Sequence, residues 1–251
     1  MVKEIEKWWD DSSKYFQKDA KIPTSSAHWG VHAPDESKLN LLGNVKGKKI
    51  LEVGCGGGQN SIALTKRGAT CTGIDISKEQ LKYAENLAKK EKVKVKFLKC
   101  NFQNLHRFKQ NSFDIAISAW AFQYSPDLKK LFREVYRILK KNGLFVFSLP
   151  HPFHDLINVK TYKIEKSYLK TGRHEEVETW PDKSKHKFIW YSVKISDVYN
   201  DLLEVGFFVE KILELLDTNQ QTLKKYYPQE LSKLICPTII FKTRKIIKVK
   251  V

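Results

Sequence analysis

Residues 49–66 constrain the fold more than any other part of the chain. The apolar run Ile50-Leu51-Glu52-Val53 enters a glycine-dense turn, Gly54-Cys55-Gly56-Gly57-Gly58, and a helical pattern follows from about Asn60 to Lys66. Glycine tolerates positive φ and close backbone approach, which a ligand lying across a helix N-terminus requires. The same alternation of strand and helix continues as far as Pro150. Strands are predicted at Lys49 to Val53, Thr70 to Asp75, Val93 to Leu98, Phe113 to Ala119 and Leu144 to Leu149, each too short for a helix and bounded by turn residues. Ser77 followed by Gln80 is a capping box that opens a helix through Leu81, Ala84 and Leu87. Asp127 is placed to cap a second helix, whose apolar positions Leu128, Leu131, Phe132, Val135, Ile138 and Leu139 keep helical spacing and which Asn142-Gly143 is expected to end. Crossovers of this kind belong to a parallel sheet, so the predicted class is α/β, with helices on both faces.

The flanks carry weaker patterns. At 251 residues the chain can bury one sizeable core, and a single domain is expected. Ile5, Trp8, Trp9 and Phe16 fall near one face of an N-terminal helix, in a segment, 1–45, expected to form a helical lid on the core at 46–150. Trp8 and Trp9 are read as packing residues. Residues 151–194 are aromatic and charged without a clear period and read as an insertion after the fifth strand. A last helix, Ser196 to Glu204, ends at Gly206, and apolar runs follow at Phe207 to Leu213 and Thr238 to Val251 within the C-terminal part, 195–251.

Composition excludes several classes. Hydrophobic residues at 41% and aromatics at 12% exclude a disordered chain. No apolar run approaches the roughly 18 to 20 residues of a membrane span, and Met1 to Phe16 lacks the pattern of a signal peptide, so a cytoplasmic location is expected. Cys55, Cys71, Cys100 and Cys236 form no C-x-x-C pair, and no metal site is expected. The formal charge of +17 raises the question of nucleic acid. Against it, only six of the 45 basic residues are arginine, the better phosphate fork, and the lysines are spread over the whole chain. Nucleic acid is therefore a disfavoured partner.

The glycine turn has glycines at 54, 56 and 58, but the sixth position counted from Gly54 is Gln59. That departs from the G-x-G-x-x-G of dinucleotide enzymes, and no P-loop lysine follows. The ligand is therefore not expected to place a pyrophosphate here. Asp75 ends the second strand roughly 20 residues on, where a carboxylate can accept hydrogen bonds from ribose hydroxyls.

Taken together, these segments resemble class I S-adenosylmethionine-dependent methyltransferases of the type 11, ubiquinone-biosynthesis-like group. Glu52-x-Gly54-x-Gly56-x-Gly58 and Gly73-Ile74-Asp75-Ile76-Ser77 match that family's first motif and its successor. The likeness continues through Cys100-Asn101-Phe102, Asn111 to Asp114, Ala119 to Tyr124 and Arg133 to Gly143, with Asn101 where the family more often has Asp. The resemblance implies a Rossmann-like, seven-stranded, mostly parallel sheet, S-adenosylmethionine as cofactor, S-adenosylhomocysteine as product, and no metal. It assigns Glu52 to the methionine amine or to ordering the loop, and Gly54, Cys55, Gly56 and Gly58 to the methionine and ribose portions. Asp75 would hold the ribose, Ile76 the adenine face, Asn101 and the Phe102 amide the adenine edge, and Ala119 the methionine portion. A closer likeness in Trp8-Trp9-Asp10, His28-Trp29-Gly30, Ser148-x-x-His151-Pro152 and Tyr191 to Asp197 is to bacterial and archaeal proteins whose acceptors are mostly undefined.

Methyl transfer needs a nucleophile aligned with the sulfonium methyl, and a base only if the acceptor must lose a proton. The expected catalytic residues are His151 and Tyr124. Tyr15, His28, Trp29, Gln123 and His154 are expected around a small organic acceptor. The insertion would cap it, with Phe153, Tyr162, Tyr168, Trp180, Phe188 and Trp190 as walls and His151, Arg173 and His174 orienting polar groups. His32, His106, His174 and His186 are otherwise assigned to the surface. An RNA-modifying methyltransferase and an inactive adenosine-ligand module are the alternatives. The sequence does not set an oligomeric state.

Overall fold

The computed structural model describes residues 2–158, 160–180, 182–217, 219 and 229–246. In chain order the first half comprises α1 (Val2–Ala20), α2 (Glu36–Leu39), β1 (Lys49–Val53), α3 (Gln59–Lys66), β2 (Thr70–Asp75), α4 (Lys78–Lys90), β3 (Lys96–Lys99) and β4 (Phe113–Ala119). The second comprises α5 (Leu128–Ile138), β5 (Leu139–Pro150), β6 (Gly172–Thr179), β7 (Lys185–Ser192), α6 (Ile195–Val205), β8 (Phe207–Leu213), α7 (Gln229–Leu234) and β9 (Thr238–Lys245). Seven strands form one sheet in the order β3-β2-β1-β4-β5-β9-β8. The first five are parallel, and β9 runs antiparallel to both β5 and β8. This is the Rossmann-like, mostly parallel sheet expected. Strand order reverses between β1 and β4, and the crevice above their carboxyl ends is where such sheets bind ligands.

Strand residues alternate between two cores because successive side chains point to opposite faces. Leu51 and Val53 of β1, with Phe145 and Phe147 of β5, join the apolar face of α5 and Phe207 in one cluster. Ile50, Ile115, Ile117 and Val146, one residue out of step, join Leu64 of α3 and the segment Ala27 to Val45 in the other. Both faces are covered, which explains why the strands read as continuous apolar runs. The two predicted caps are present. Ser77 Oγ accepts from the Gln80 N–H at 3.1 Å, and Asp127 Oδ1 from the Lys130 N–H at 2.8 Å.

Some boundaries differ from expectation. The helix begun by Asp127 does not run to Asn142-Gly143: Leu139 is already extended, and Asn142 and Gly143 lie inside β5. β3 begins at Lys96 because the Val93 N–H turns back to the Ala88 carbonyl at 3.1 Å and closes α4. The final apolar run is strand only from Thr238 to Lys245, and 247–251 lie outside the described residues. The insertion contains a paired antiparallel hairpin, β6 with β7, from Gly172↔Ser192 to Thr179↔Lys185. β6 carries charges on both faces and β7 has apolar residues on both, so they lack the apolar alternation that would reveal them. His32 is a further correction. It is 1% exposed, and its Nδ1 lies 2.9 Å from Ser232 Oγ. No helix among the described residues is long and apolar enough to cross a membrane.

Candidate functional site

β1 ends in the glycine loop, and two carboxylates, one buried (Glu52) and one half-buried (Asp75), hold that loop in place. Glu52 Oε2 accepts from the Ser61 N–H at 2.9 Å and from its hydroxyl at 2.5 Å, which satisfies a donor of the first turn of α3. Burial pushes this carboxyl up to about 7. Asp75, at the end of β2, accepts from the Gly56 N–H at 2.8 Å and the Ser77 N–H at 2.9 Å, and burial likewise raises its pKa. Gly54 has φ +71, and a Cβ there would stand 2.3 Å from that of Ala121. The loop and the turn after β4 therefore touch only because position 54 is glycine.

A cavity of about 940 Å³ opens over these strand ends, at the upper end of the roughly 300 to 1,000 Å³ usual for ligand sites. Gly54, Cys55, Gly56, Asp75, Ile76, Phe102 and Ala119 line it on the loop side. Tyr15, His28, Gln123, Tyr124 and His154 line it as well. Glu52, Gly58, Asn101, Trp29 and His151 do not. Glu52 works from beneath the loop, and Gly58 caps α3 against Phe97 and Ala84. Asn101 Oδ1 accepts from the Gln103 N–H at 2.9 Å in a local turn. Trp29 is fully buried among Ala27, Leu41 and Ile240, in the core rather than against an acceptor. His151 is a correction of consequence: its Nε2 lies 2.7 Å from Glu214 Oε1, and its Nδ1 accepts from the Phe153 N–H at 3.2 Å. With both ring nitrogens engaged outside the cavity, it ties the end of β5 to the segment after β8.

Several wall residues had no readable signal. Trp8, Trp9, Phe16 and Gln17 of α1 face the cavity, so the two tryptophans read as packing residues belong to its lining. Gln17 links α1 to the core: its Nε2 donates to Gln80 Oε1 and its Oε1 accepts from Gln59 Nε2, both at 2.7 Å. Asp10 accepts from the Ser77 hydroxyl at 2.7 Å and from the Glu79 N–H at 3.2 Å, at the start of α4. α1 thus lies across the loop as a lid. The hairpin closes on α1 from the other side, through Trp8 Nε1 to Glu178 at 3.2 Å and the Tyr15 hydroxyl to Asp182 at 2.8 Å. Of the aromatic residues expected in the cap, Trp180, Phe188 and Trp190 reach the cavity, whereas Phe153 and Tyr168 stack on each other at 4.3 Å. Arg173 is held by Glu175.

Trp120 is the least expected wall. It follows β4 with φ +55, a conformation rare for a bulky residue, and its indole N–H donates to Thr238 Oγ1 at 3.0 Å. Any Cβ at Gly30 would meet that ring at 2.1 Å, which gives the glycine of His28-Trp29-Gly30 its reason.

Burial lowers the pKa of both His28 and His154 to about 4, so both imidazoles are neutral at pH 7. Among the described residues, the buried Nδ1 of His28 has no hydrogen-bond partner, and neither has the Oε1 of Gln123. These two atoms are available to a ligand. Among the described residues no group of three or more His, Cys, Asp or Glu side chains is placed to hold a metal.

The methyltransferase domain family model, type 11, matches residues 51–147, which run from β1 into β5 and include the glycine loop and Asp75. A crystal structure of an S-adenosylmethionine dependent methyltransferase from Mesorhizobium loti superposes with a TM-score of 0.65 at 25% identity, covering 83% of this chain and 95% of that one. Residues 51–147 are thus similar to the type 11 family of S-adenosylmethionine-dependent methyltransferases. The ubiquinone biosynthesis O-methyltransferase of Pseudomonas putida (strain GB-1) is 30% identical over 142 residues, 57% of each chain. A Haemophilus influenzae protein is 26% identical over 220 residues, 84% of this chain and 87% of that one. A Geobacillus relative is matched over 65% of its length, so the similarity to it and to the Pseudomonas enzyme is confined to part of each.

Proposed function

We propose that the chain transfers a methyl group from S-adenosylmethionine to a small organic acceptor held between α1, the β6–β7 hairpin and the end of β4. The observation that carries this reading is one continuous cavity, which reaches from Asp75 and the glycine loop to an aromatic chamber lined by the lid and hairpin. The residues fit the cofactor. A half-buried carboxylate already bonded to the Gly56 and Ser77 N–H groups suits ribose hydroxyls, and the bare backbone of 54–57 admits a close ligand. When bound, S-adenosylmethionine supplies an electrophilic methyl on a positively charged sulfur.

The protein supplies the rest. Asp75 holds the ribose, Ile76 and Phe102 flank the adenine, and Ala119 bounds the methionine portion. Glu52 orders the loop through Ser61. Tyr124, Gln123 and the free Nδ1 of His28 orient the acceptor. Alignment of this kind contributes roughly 7 to 11 kcal/mol to such reactions. A concave chamber of aromatic side chains suits a small molecule better than a nucleic-acid strand.

The test removes the cap. Gly172 pairs with Ser192, so a short Gly-Ser linker can replace the hairpin without moving its ends. S-adenosylhomocysteine release is then measured against a library of small nucleophiles, with cofactor affinity measured alongside. Retained affinity with transfer lost supports the reading. Transfer unimpaired by the deletion, or seen only with RNA, contradicts it.

A further inference from the structure

The acceptor half of the cavity reverses the charge of the molecule around it. Lys and Arg outnumber Asp and Glu by 45 to 28 in the chain, yet among the described residues this wall carries the carboxylates of Glu176 and Glu178, with Asp19 beside them, and one lysine, Lys166. The two histidines add no charge, since burial keeps them neutral at pH 7. Hairpin register places Glu176 opposite Phe188 and Glu178 opposite His186, so acidic and aromatic side chains alternate on one face.

The aromatic residues form a continuous wall. Trp8 meets Trp180 edge-on at 5.8 Å and Phe188 at 4.8 Å, Phe188 stacks on Trp190 at 5.3 Å, and Tyr124 meets Phe188 at 6.0 Å. Glu178 Oε2 accepts from the indole N–H of both Trp8 and Trp180 at 3.2 Å, fixing the two rings on either side of a carboxylate. The carboxylate of Glu176, an exposed residue that lines the cavity, has no hydrogen bond or ion pair among the described residues. Aromatic faces combined with carboxylates attract cations and disfavour anions, because ring quadrupole and charge act in the same direction.

Resting on the methyl-transfer reading above, we propose that the acceptor is an organic amine whose nitrogen acquires its positive charge inside this aromatic and acidic chamber. The nitrogen lone pair forms the N–C bond as the C–S bond breaks, and sulfur keeps that bond pair as a neutral thioether. The positive charge therefore moves from sulfur to nitrogen, and an amine that still carries N–H then releases a proton to water. A wall that favours cations stabilises the charge where it develops, which is the condition for lowering the barrier.

The experiment uses the full chain saturated with S-adenosylhomocysteine, whose own binding is measured first by calorimetry. Choline and its neutral carbon isostere 3,3-dimethylbutan-1-ol are then titrated while tryptophan fluorescence is followed. The expected result is at least tenfold tighter binding of the cation, reduced below threefold in Glu176→Gln, with S-adenosylhomocysteine affinity unchanged. Equal binding of the two probes, with S-adenosylhomocysteine bound, overturns the amine assignment and leaves the methyltransferase reading standing. If Glu176→Gln changes the ratio of S-adenosylmethionine to S-adenosylhomocysteine affinity while the choline preference persists, the carboxylate serves the sulfonium and the assignment also fails. Failure to bind S-adenosylhomocysteine overturns both.

Discussion

Gln17→Ala tests whether α1 is held as a lid by its one buried amide. Gln17, Gln59 and Gln80 are 8%, 4% and 1% exposed, and Gln17 is the middle link of their chain. The truncation leaves the Gln80 oxygen and the Gln59 amide without that partner. A buried polar group stripped of its partner costs about 1 to 3 kcal/mol, so two such losses at the low end give about 2 kcal/mol. For a chain of this size that is roughly 4 to 8 °C in Tm. A Cβ at Gly57 would stand 2.6 Å from the Gln17 amide, so Gly57→Ala should displace the same contact from the other side. The assay is thermal unfolding together with amide hydrogen exchange over 2–20. Exchange in α1 should rise in both variants and fall again with S-adenosylhomocysteine. A Tm within 1 °C of wild type and unaltered exchange in α1 would refute the lid.

Three further outcomes follow from the site. Asp75→Asn should weaken S-adenosylhomocysteine binding by about 1.5 to 3 kcal/mol, the range for hydrogen bonds to a charged group, while leaving the unliganded Tm unchanged or higher because burial already disfavours its charge; calorimetry and thermal melts report both. Gly54→Ala should abolish cofactor binding, since the new Cβ meets Ala121 in a backbone conformation that L residues rarely adopt, and a variant that binds normally would show that the loop is not fixed by this contact. His154 has a folded pKa of about 4, below its unfolded value near 6.5, so the unfolded state takes up the proton first. Relative to His154→Gln, wild-type stability should be constant above about pH 6.5 and fall by about 3 kcal/mol as the pH drops to about 4, in paired denaturant titrations.

The sheet could be read from the sequence because its signals are local. β1 and β4 are largely apolar runs flanked by turn residues, and the caps at Ser77 and Asp127 lie within three residues of their partners. Asp75 was likewise placed by its distance from the glycine loop. What escaped depends on long-range contacts. Gln17 gains its meaning from Gln59 and Gln80, 42 and 63 residues away, and Trp120 is held in its left-handed conformation beside Gly30 and Thr238. His151 has the residue type of a base, but its two nitrogens are turned to Glu214 and the Phe153 N–H, a fact of orientation that sequence does not carry. The hairpin escaped for a different reason. β6 carries charges on both faces and β7 has apolar residues on both, so neither shows the single apolar face that marks a register.

The central claim, that the crevice above β1, β2 and β4 takes S-adenosylmethionine, is tested most directly by titrating the purified chain with S-adenosylmethionine, S-adenosylhomocysteine and NAD in a calorimeter without added metal. The account predicts saturable binding of the first two at one site per chain, lost in Gly54→Ala, and no heat from the dinucleotide. Absence of binding by either adenosyl compound, or preferential binding of NAD, would contradict it.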